Sequence, residues 1–137
     1  MRIGELYFKG MYYHKSDVPK NLREFVNYQF SSNIYYIEDD FKSFNTKFRN
    51  AIKKLLPDEF ELHYWNRGYY YCSGVIKTPN NNFIYISIPD VRAWKDEWIT
   101  NILYRTMKHD KDWRGGPNNY TSLFTFTEDI KKLYKED

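Results

Sequence analysis

The chain has 137 residues, of which 28% are charged and 42% are hydrophobic, and this balance fits one compact domain rather than a disordered chain. No apolar run reaches the roughly 18–20 residues that span a bilayer, and the segment after Met1 lacks the apolar core of a signal peptide. The formal net charge of +3 excludes an acidic mimic of nucleic acid. We therefore expect a cytoplasmic protein with no membrane partner.

The sequence predicts that residues 1–38 form an N-terminal layer that packs on the rest of the chain. Ile3–Phe8 fits a short strand, and residues 17–30 fit a helix that has Pro19 in its first turn. A short extended piece is expected at Ile34–Ile37. The whole chain is expected to form one compact domain.

Residues 39–137 predict an α+β core in the order αβββα, followed by a C-terminal tail. Asp39 or Asp40 can cap the first helix, which Pro57 ends. Three antiparallel strands are expected next, over Phe60–Trp65, Tyr69–Thr78 and Phe83–Ile88. Turns are expected at Asn66–Gly68 and Pro79–Asn82, and further helices at about Trp94–Met107 and at Thr127–Lys135.

The first predicted helix of this core has one apolar side and one basic side. Phe44, Phe48 and Ile52 fall on the apolar stripe, and no acidic residue occurs between Phe41 and Leu56. The basic side carries Lys42, Lys47, Arg49, Lys53 and Lys54. The order αβββα is also that of double-stranded RNA-binding domains, so one interpretation is a small nucleic-acid-binding protein whose phosphate contacts are these five residues.

The sequence contains no recognisable catalytic or metal-binding motif. His14, His63 and His109 stand alone, without metal-ligand spacing, and Cys72 fits a small buried position in a strand. We therefore predict no catalytic residue, no metal and no cofactor. A small enzyme built around His109 and Asp110 stays open as a third interpretation.

The polar segment from Pro89 to Tyr120 interleaves basic and aromatic side chains around a Gly115-Gly116 turn, a combination that suits macromolecular contacts. The predicted contact surface consists of Arg92, Arg105, Lys108, His109, Trp113 and Arg114. A purely structural alternative stays open, in which the arginines tie the end of the sheet to the next helix and the glycine turn anchors the tail. The oligomeric state cannot be predicted from the sequence.

The strings FIYISIPDVR and NILYRTMKHDKDWRGGPNNYTSL, within residues 83–123, carry a family resemblance. They resemble a segment of small uncharacterised proteins of phages and mobile elements in Gram-positive bacteria, where an Asp-Val-Arg turn after a strand precedes a pattern close to ILIRT.KH.KDYTGG.NN. The present chain departs from this pattern at Tyr104, Trp113 and Arg114, and it has Met107 and Pro117 at positions that the pattern leaves open.

The resemblance implies a non-catalytic protein that blunts a host defence system, in the bacterial cytoplasm. Its sharpest form is an anti-CRISPR protein whose partner is a Cas nuclease, or the guide RNA or DNA which that nuclease holds. In this leading interpretation the six residues of the predicted contact surface bind the effector. The nucleic-acid-binding interpretation is the alternative.

Overall fold

The computed structural model describes residues 5–8, 11–14, 34–68, 71–88, 102–112, 115–123 and 125–136. The architecture is α+β, as predicted. The elements in chain order are β1 (Glu5–Phe8), β2 (Met11–His14), α1 (Ile34–Leu55), β3 (Glu61–Arg67), β4 (Cys72–Lys77), β5 (Phe83–Ile88), β6 (Ile102–Met107), β7 (Asn119–Thr121) and α2 (Phe126–Glu136).

Strands β3 to β7 form an open antiparallel sheet in which chain neighbours are also sheet neighbours. Strands β1 and β2 pair with each other in a separate two-stranded sheet. Because side chains alternate across a strand, the pairing register divides the larger sheet into two faces. The inner face carries Ile76, Ile84 and Tyr104, and the outer face carries Val75, Tyr85 and Arg105.

Both helices pack on the inner face. α1 contributes Phe44, Phe48 and Ile52, and α2 contributes Phe126 and Ile130, all of them at most 1% exposed. These side chains share one apolar cluster with alternate residues of β4, β5 and β6. The stripe of α1 follows from the three- and four-residue spacing of its apolar positions, which places them on one side of a helix.

Polar groups fix both helices at defined points. The Trp65 Nε1–H of β3 donates to Oδ1 of Asn45, at 2.7 Å, on the buried side of α1. The Thr127 hydroxyl, in the first turn of α2, donates to the Leu55 carbonyl at the end of α1, at 2.6 Å. This bond satisfies one of the carbonyls that a helix leaves without an internal partner at its C-terminus.

The predicted helix Trp94–Met107 is wrong over residues 102–107, which form β6, and residues 94–101 lie outside the described ranges. Trp94, Trp98 and Ile102 have the spacing of a helical stripe. Residues 102–107, however, include β-branched and aromatic side chains in an alternating pattern that is typical of a strand. Pairing with β5 on one side and β7 on the other decides between the two patterns. The sheet therefore has five strands instead of the three predicted, and the order αβββα is not observed.

The predicted extended piece at Ile34–Ile37 is also wrong, because α1 already begins at Ile34 and runs continuously across residue 38. Asp39 and Asp40 therefore lie within the helix and do not cap it. In the sequence, Ile34 and Ile37 continue the spacing of the apolar stripe, which accounts for the longer helix. The packing of the N-terminal layer stays a prediction, since residues 15–33 lie outside the described ranges.

Several predicted elements are confirmed within one or two residues. β5 matches Phe83–Ile88, α2 matches the C-terminal helix, and β1 falls within Ile3–Phe8. β3 runs two residues beyond the predicted end at Trp65, and the turn follows at Gly68, whose N–H donates to the Tyr71 carbonyl. Among the helices that the structure describes, none combines the length and the apolar character needed to cross a membrane.

Cys72 lies fully buried in β4, as the sequence predicts, and burial raises the pKa of its thiol. In the unfolded chain the thiol loses its proton near pH 8.5, so above that pH the folded state binds more protons and stability falls as the pH rises. We expect the free energy of unfolding to fall by about 1.4 kcal/mol between pH 7 and pH 9.5 through this group. Denaturant unfolding under reducing conditions at the two pH values measures the change. Cys72→Ala should remove most of it, and an unchanged pH dependence in that variant would contradict the assignment.

Candidate functional site

The predicted contact surface is only partly within the described residues. Arg105, on β6, and Lys108 and His109, in the loop that joins β6 to β7, are described. Arg92, Trp113 and Arg114 lie outside the described ranges, and their place on this surface stays a prediction.

Arg105 lies inside the fold and is only 6% exposed. Its guanidinium stacks over the Tyr85 ring of β5, 4.6 Å from the ring centroid. Its Nη1–H donates to the Asp112 carbonyl, at 3.1 Å, in the β6–β7 loop. The side chain therefore ties this loop to the outer face of the sheet and is not available on an exposed contact surface. Arg105 thus has a structural role, but it ties a loop to the sheet. The alternative in which the arginines tie the end of the sheet to a following helix stays a prediction for Arg92, which lies outside the described ranges.

At the double glycine, the backbone of Gly115 packs closely against the Arg105 side chain. Gly115 has a positive φ of 34°, and a Cβ at this position would lie 1.7 Å from Arg105 Nη1. The Gly116 N–H donates to the Thr106 carbonyl, at 3.0 Å. The bare backbone that we expected to approach a partner thus lies against the protein's own arginine, and any side chain at Gly115 would displace it.

Asp112 fixes the backbone of the β6–β7 loop. Its Oδ2 accepts from the Lys108 N–H at 2.9 Å, and its Oδ1 accepts from the Gly115 N–H at 3.0 Å. Its own N–H donates to the His109 carbonyl at 3.1 Å. On this fixed backbone, Lys108, His109 and Lys111 are exposed.

The structure brings Asp110 to His63 and not to His109, a pairing that sequence reasoning missed. His63 Nε2 lies 3.3 Å from Asp110 Oδ2, with the two side chains 33% and 39% exposed. The register of β3 shifts between Leu62 and Tyr64, and this irregularity leaves His63 without a partner residue in the ladder. Bulges of this kind redirect side chains and are not visible in a hydropathy pattern. The His109 ring is used locally, since its Nδ1 accepts from the Lys111 N–H at 3.2 Å.

Tyr64 holds the same loop from a second side. Its hydroxyl donates to the Asp110 carbonyl, and the Tyr64 ring also lies beside the His63 ring, with the centroids 5.2 Å apart. Burial, and secondarily the negative charge of Asp110, raises the pKa of the Tyr64 phenol. His63, Tyr64 and Asp110 thus form a clamp that joins the β6–β7 loop to β3.

The five basic residues of α1 are hereafter called the basic face. The four lysines, Lys42, Lys47, Lys53 and Lys54, are exposed, and Arg49 is half-buried. No acidic residue occurs from Lys42 to Pro57. Lys53 and Lys54 also suit the negative end of the helix dipole, but that effect is confined to the last turn and does not account for Lys42 or Lys47.

Among the residues that the structure describes, no group of three or more His, Cys, Asp or Glu side chains is placed to hold a metal ion. The described residues therefore include a set of exposed basic side chains on one helix, the basic face, and exposed Lys108 and Lys111 in the β6–β7 loop. Comparisons of the chain with family models, with curated proteins and with solved structures find no match.

Proposed function

We propose that the chain is a non-catalytic nucleic-acid-binding protein that contacts the phosphate backbone through the basic face of α1. The observation that carries the proposal is the exposure of four lysines on one helix, within a stretch of chain that has no acidic residue. Binding at such a surface releases the cations condensed on the nucleic acid, which is the main source of affinity in non-specific complexes.

The length of the basic face suits a short nucleic-acid site. Lys42 and Lys54 are twelve residues apart, which corresponds to about 18 Å along an α-helix and to about five steps of a duplex. The core holds the helix rigid, because Phe44 and Phe48 are buried on its other side. Cations that are carried by a rigid helix lose little conformational freedom of the backbone on binding.

The fold does not supply a second argument. Within the described ranges, five strands lie between α1 and α2, so the analogy with double-stranded RNA-binding domains, which rested on three strands, no longer supports the proposal. The proposal rests on the surface of α1.

The test is the salt dependence of binding to a fluorescently labelled oligonucleotide, measured by anisotropy. A plot of the logarithm of the association constant against the logarithm of the salt concentration should be linear. For four to five phosphate contacts we expect its slope to be about −4. Affinity should then drop by about 250-fold between 50 and 200 mM salt. No binding at 50 mM salt, or binding that salt leaves unchanged, would contradict the proposal.

A second candidate function is the inhibition of a host defence protein, most sharply a Cas nuclease in the bacterial cytoplasm. It is supported by the family resemblance over residues 83–123 and by the fixed backbone of the β6–β7 loop. Loops held by a rigid scaffold are common binding elements, and here Lys108 and His109 are exposed on one. In this case the contact surface is the loop, with Arg92, Trp113 and Arg114 as further predicted contacts.

A further inference from the structure

The exposed half of α1 is divided into three rows of side chains. At about 100° per residue, Lys42, Arg49 and Lys53 fall within about 40° of one another, and Lys47 with Lys54 forms a second basic row about 130° away. Between the two basic rows lies a polar row of Ser43, Thr46 and Asn50, all of them exposed. The helix therefore presents uncharged hydrogen-bonding groups flanked on both sides by cations.

This cross-section matches the major groove of duplex DNA. The groove is about 12 Å wide and admits an α-helix, and a phosphate backbone runs along each of its walls. The two basic rows can meet the two backbones, while the polar row faces the floor of the groove. Asparagine can bond the N6 and N7 edge of adenine with both atoms of its amide, and Ser and Thr hydroxyls bond several bases.

We propose that α1 enters the major groove of double-stranded DNA, with Asn50 at the base edges and the two basic rows on opposite phosphate backbones. This inference rests on the proposed function and names its substrate class. Thr46 donates its hydroxyl proton to the Lys42 carbonyl, at 3.2 Å, so that its oxygen is left to accept from a base amino group. Glu38, Asp39 and Asp40 precede the first lysine and limit the contact to the C-terminal turns of the helix.

Other nucleic acids fit this surface less well. The major groove of A-form RNA is deep and narrow, and the minor groove of DNA, about 6 Å wide, does not admit a helix. Proteins that bind single strands use exposed aromatic side chains as stacking platforms. The aromatic residues between Lys42 and Lys54 are Phe44 and Phe48, and both are buried.

The first experiment compares labelled duplex DNA, single-stranded DNA and duplex RNA of one sequence by anisotropy at 100 mM salt. We expect the tightest binding to duplex DNA, by at least about tenfold, and a loss of affinity when 7-deaza-adenine replaces adenine and removes the N7 acceptor in the major groove. Equal or tighter binding to RNA or single strands would overturn the major-groove inference and leave the proposed function standing. No binding to any of the three would overturn both.

The second experiment separates base contacts from phosphate contacts. The wild-type protein selects sequences from a randomised duplex library, and Asn50→Ala is then measured on the enriched sequence. Loss of a two-atom base contact should weaken binding by about 5- to 150-fold and leave the salt slope unchanged. Lys53→Gln should instead reduce the steepness of the slope by about one. The absence of any enriched sequence, or an Asn50→Ala variant that binds it as the wild type does, would contradict the role of Asn50. Because both positions are exposed, an unchanged melting temperature is the control for folding.

Discussion

Replacing Arg105 with alanine is expected to lower the free energy of unfolding by about 2–4 kcal/mol and the melting temperature by roughly 10 °C. Two losses add up in this estimate. The Asp112 carbonyl loses the donor that meets it at 3.1 Å, and the Tyr85 ring loses the guanidinium stacked on it. The β6–β7 loop then has no side chain beneath Gly115. Differential scanning calorimetry measures the change.

The matched control is Lys108→Ala, three residues along the chain. Lys108 is exposed, and we expect its replacement to change stability by less than about 0.5 kcal/mol. Arg105→Lys keeps the charge but not the planar guanidinium, so it should fall between the two. An Arg105→Ala variant that is as stable as the wild type would show that the buried guanidinium does not hold the loop.

Reversing three charges of the basic face, in the triple variant Lys42→Glu, Lys53→Glu and Lys54→Glu, is expected to weaken nucleic-acid binding by about 100- to 10,000-fold at 100 mM salt. Each lysine removed abolishes one phosphate contact, and each glutamate introduced repels the backbone. The slope of the logarithm of the association constant against that of the salt concentration should become shallower, from about −4 to about −1. Anisotropy titrations at four salt concentrations measure both quantities.

The matched control changes the same number of charges on other surfaces, with Lys108→Glu, Lys111→Glu and Lys132→Glu. All three of these lysines are exposed. If affinity depends on net charge alone, the two triple variants will lose it equally, which would contradict a localised basic face. Lys53 and Lys54 favour the end of α1 through the helix dipole, and glutamates there would disfavour it. A second variant with glutamine at the three α1 positions therefore removes the cations without adding anions, and its melting temperature shows whether α1 stays folded.

Local sequence patterns correctly predicted the elements whose residues fit only one periodicity, either helical or strand-like. Phe44, Phe48 and Ile52 fit only a helical stripe, and the Pro79–Asn82 turn leaves β5 only one place to begin. The segment that ends in β6 carries two periodicities. Its pairing with β5, about twenty positions earlier, and with β7, later in the chain, selects one of them. Such a choice is made by tertiary pairing, which local propensity does not contain.

The site was harder to predict, for reasons that are specific to charge. An arginine in a polar segment is expected at the surface, yet Arg105 is buried because an aromatic ring on β5 and a backbone carbonyl seven residues ahead receive its guanidinium. Likewise, His63 and Asp110 are 47 residues apart and meet through an irregularity in β3. In contrast, the exposure of the four lysines of the basic face follows directly from helical spacing, because the apolar stripe of α1 faces the core.

Lysine footprinting in the presence and absence of duplex DNA tests most directly whether the basic face is the contact surface. The protein is acetylated briefly with and without the duplex at 50 mM salt, and the modification of each lysine is measured by mass spectrometry. We expect the duplex to protect Lys42, Lys47, Lys53 and Lys54 and to leave Lys108 and Lys111 as reactive as in the free protein. Protection of the two loop lysines with unchanged reactivity along α1 would contradict this expectation and place the contact on the β6–β7 loop.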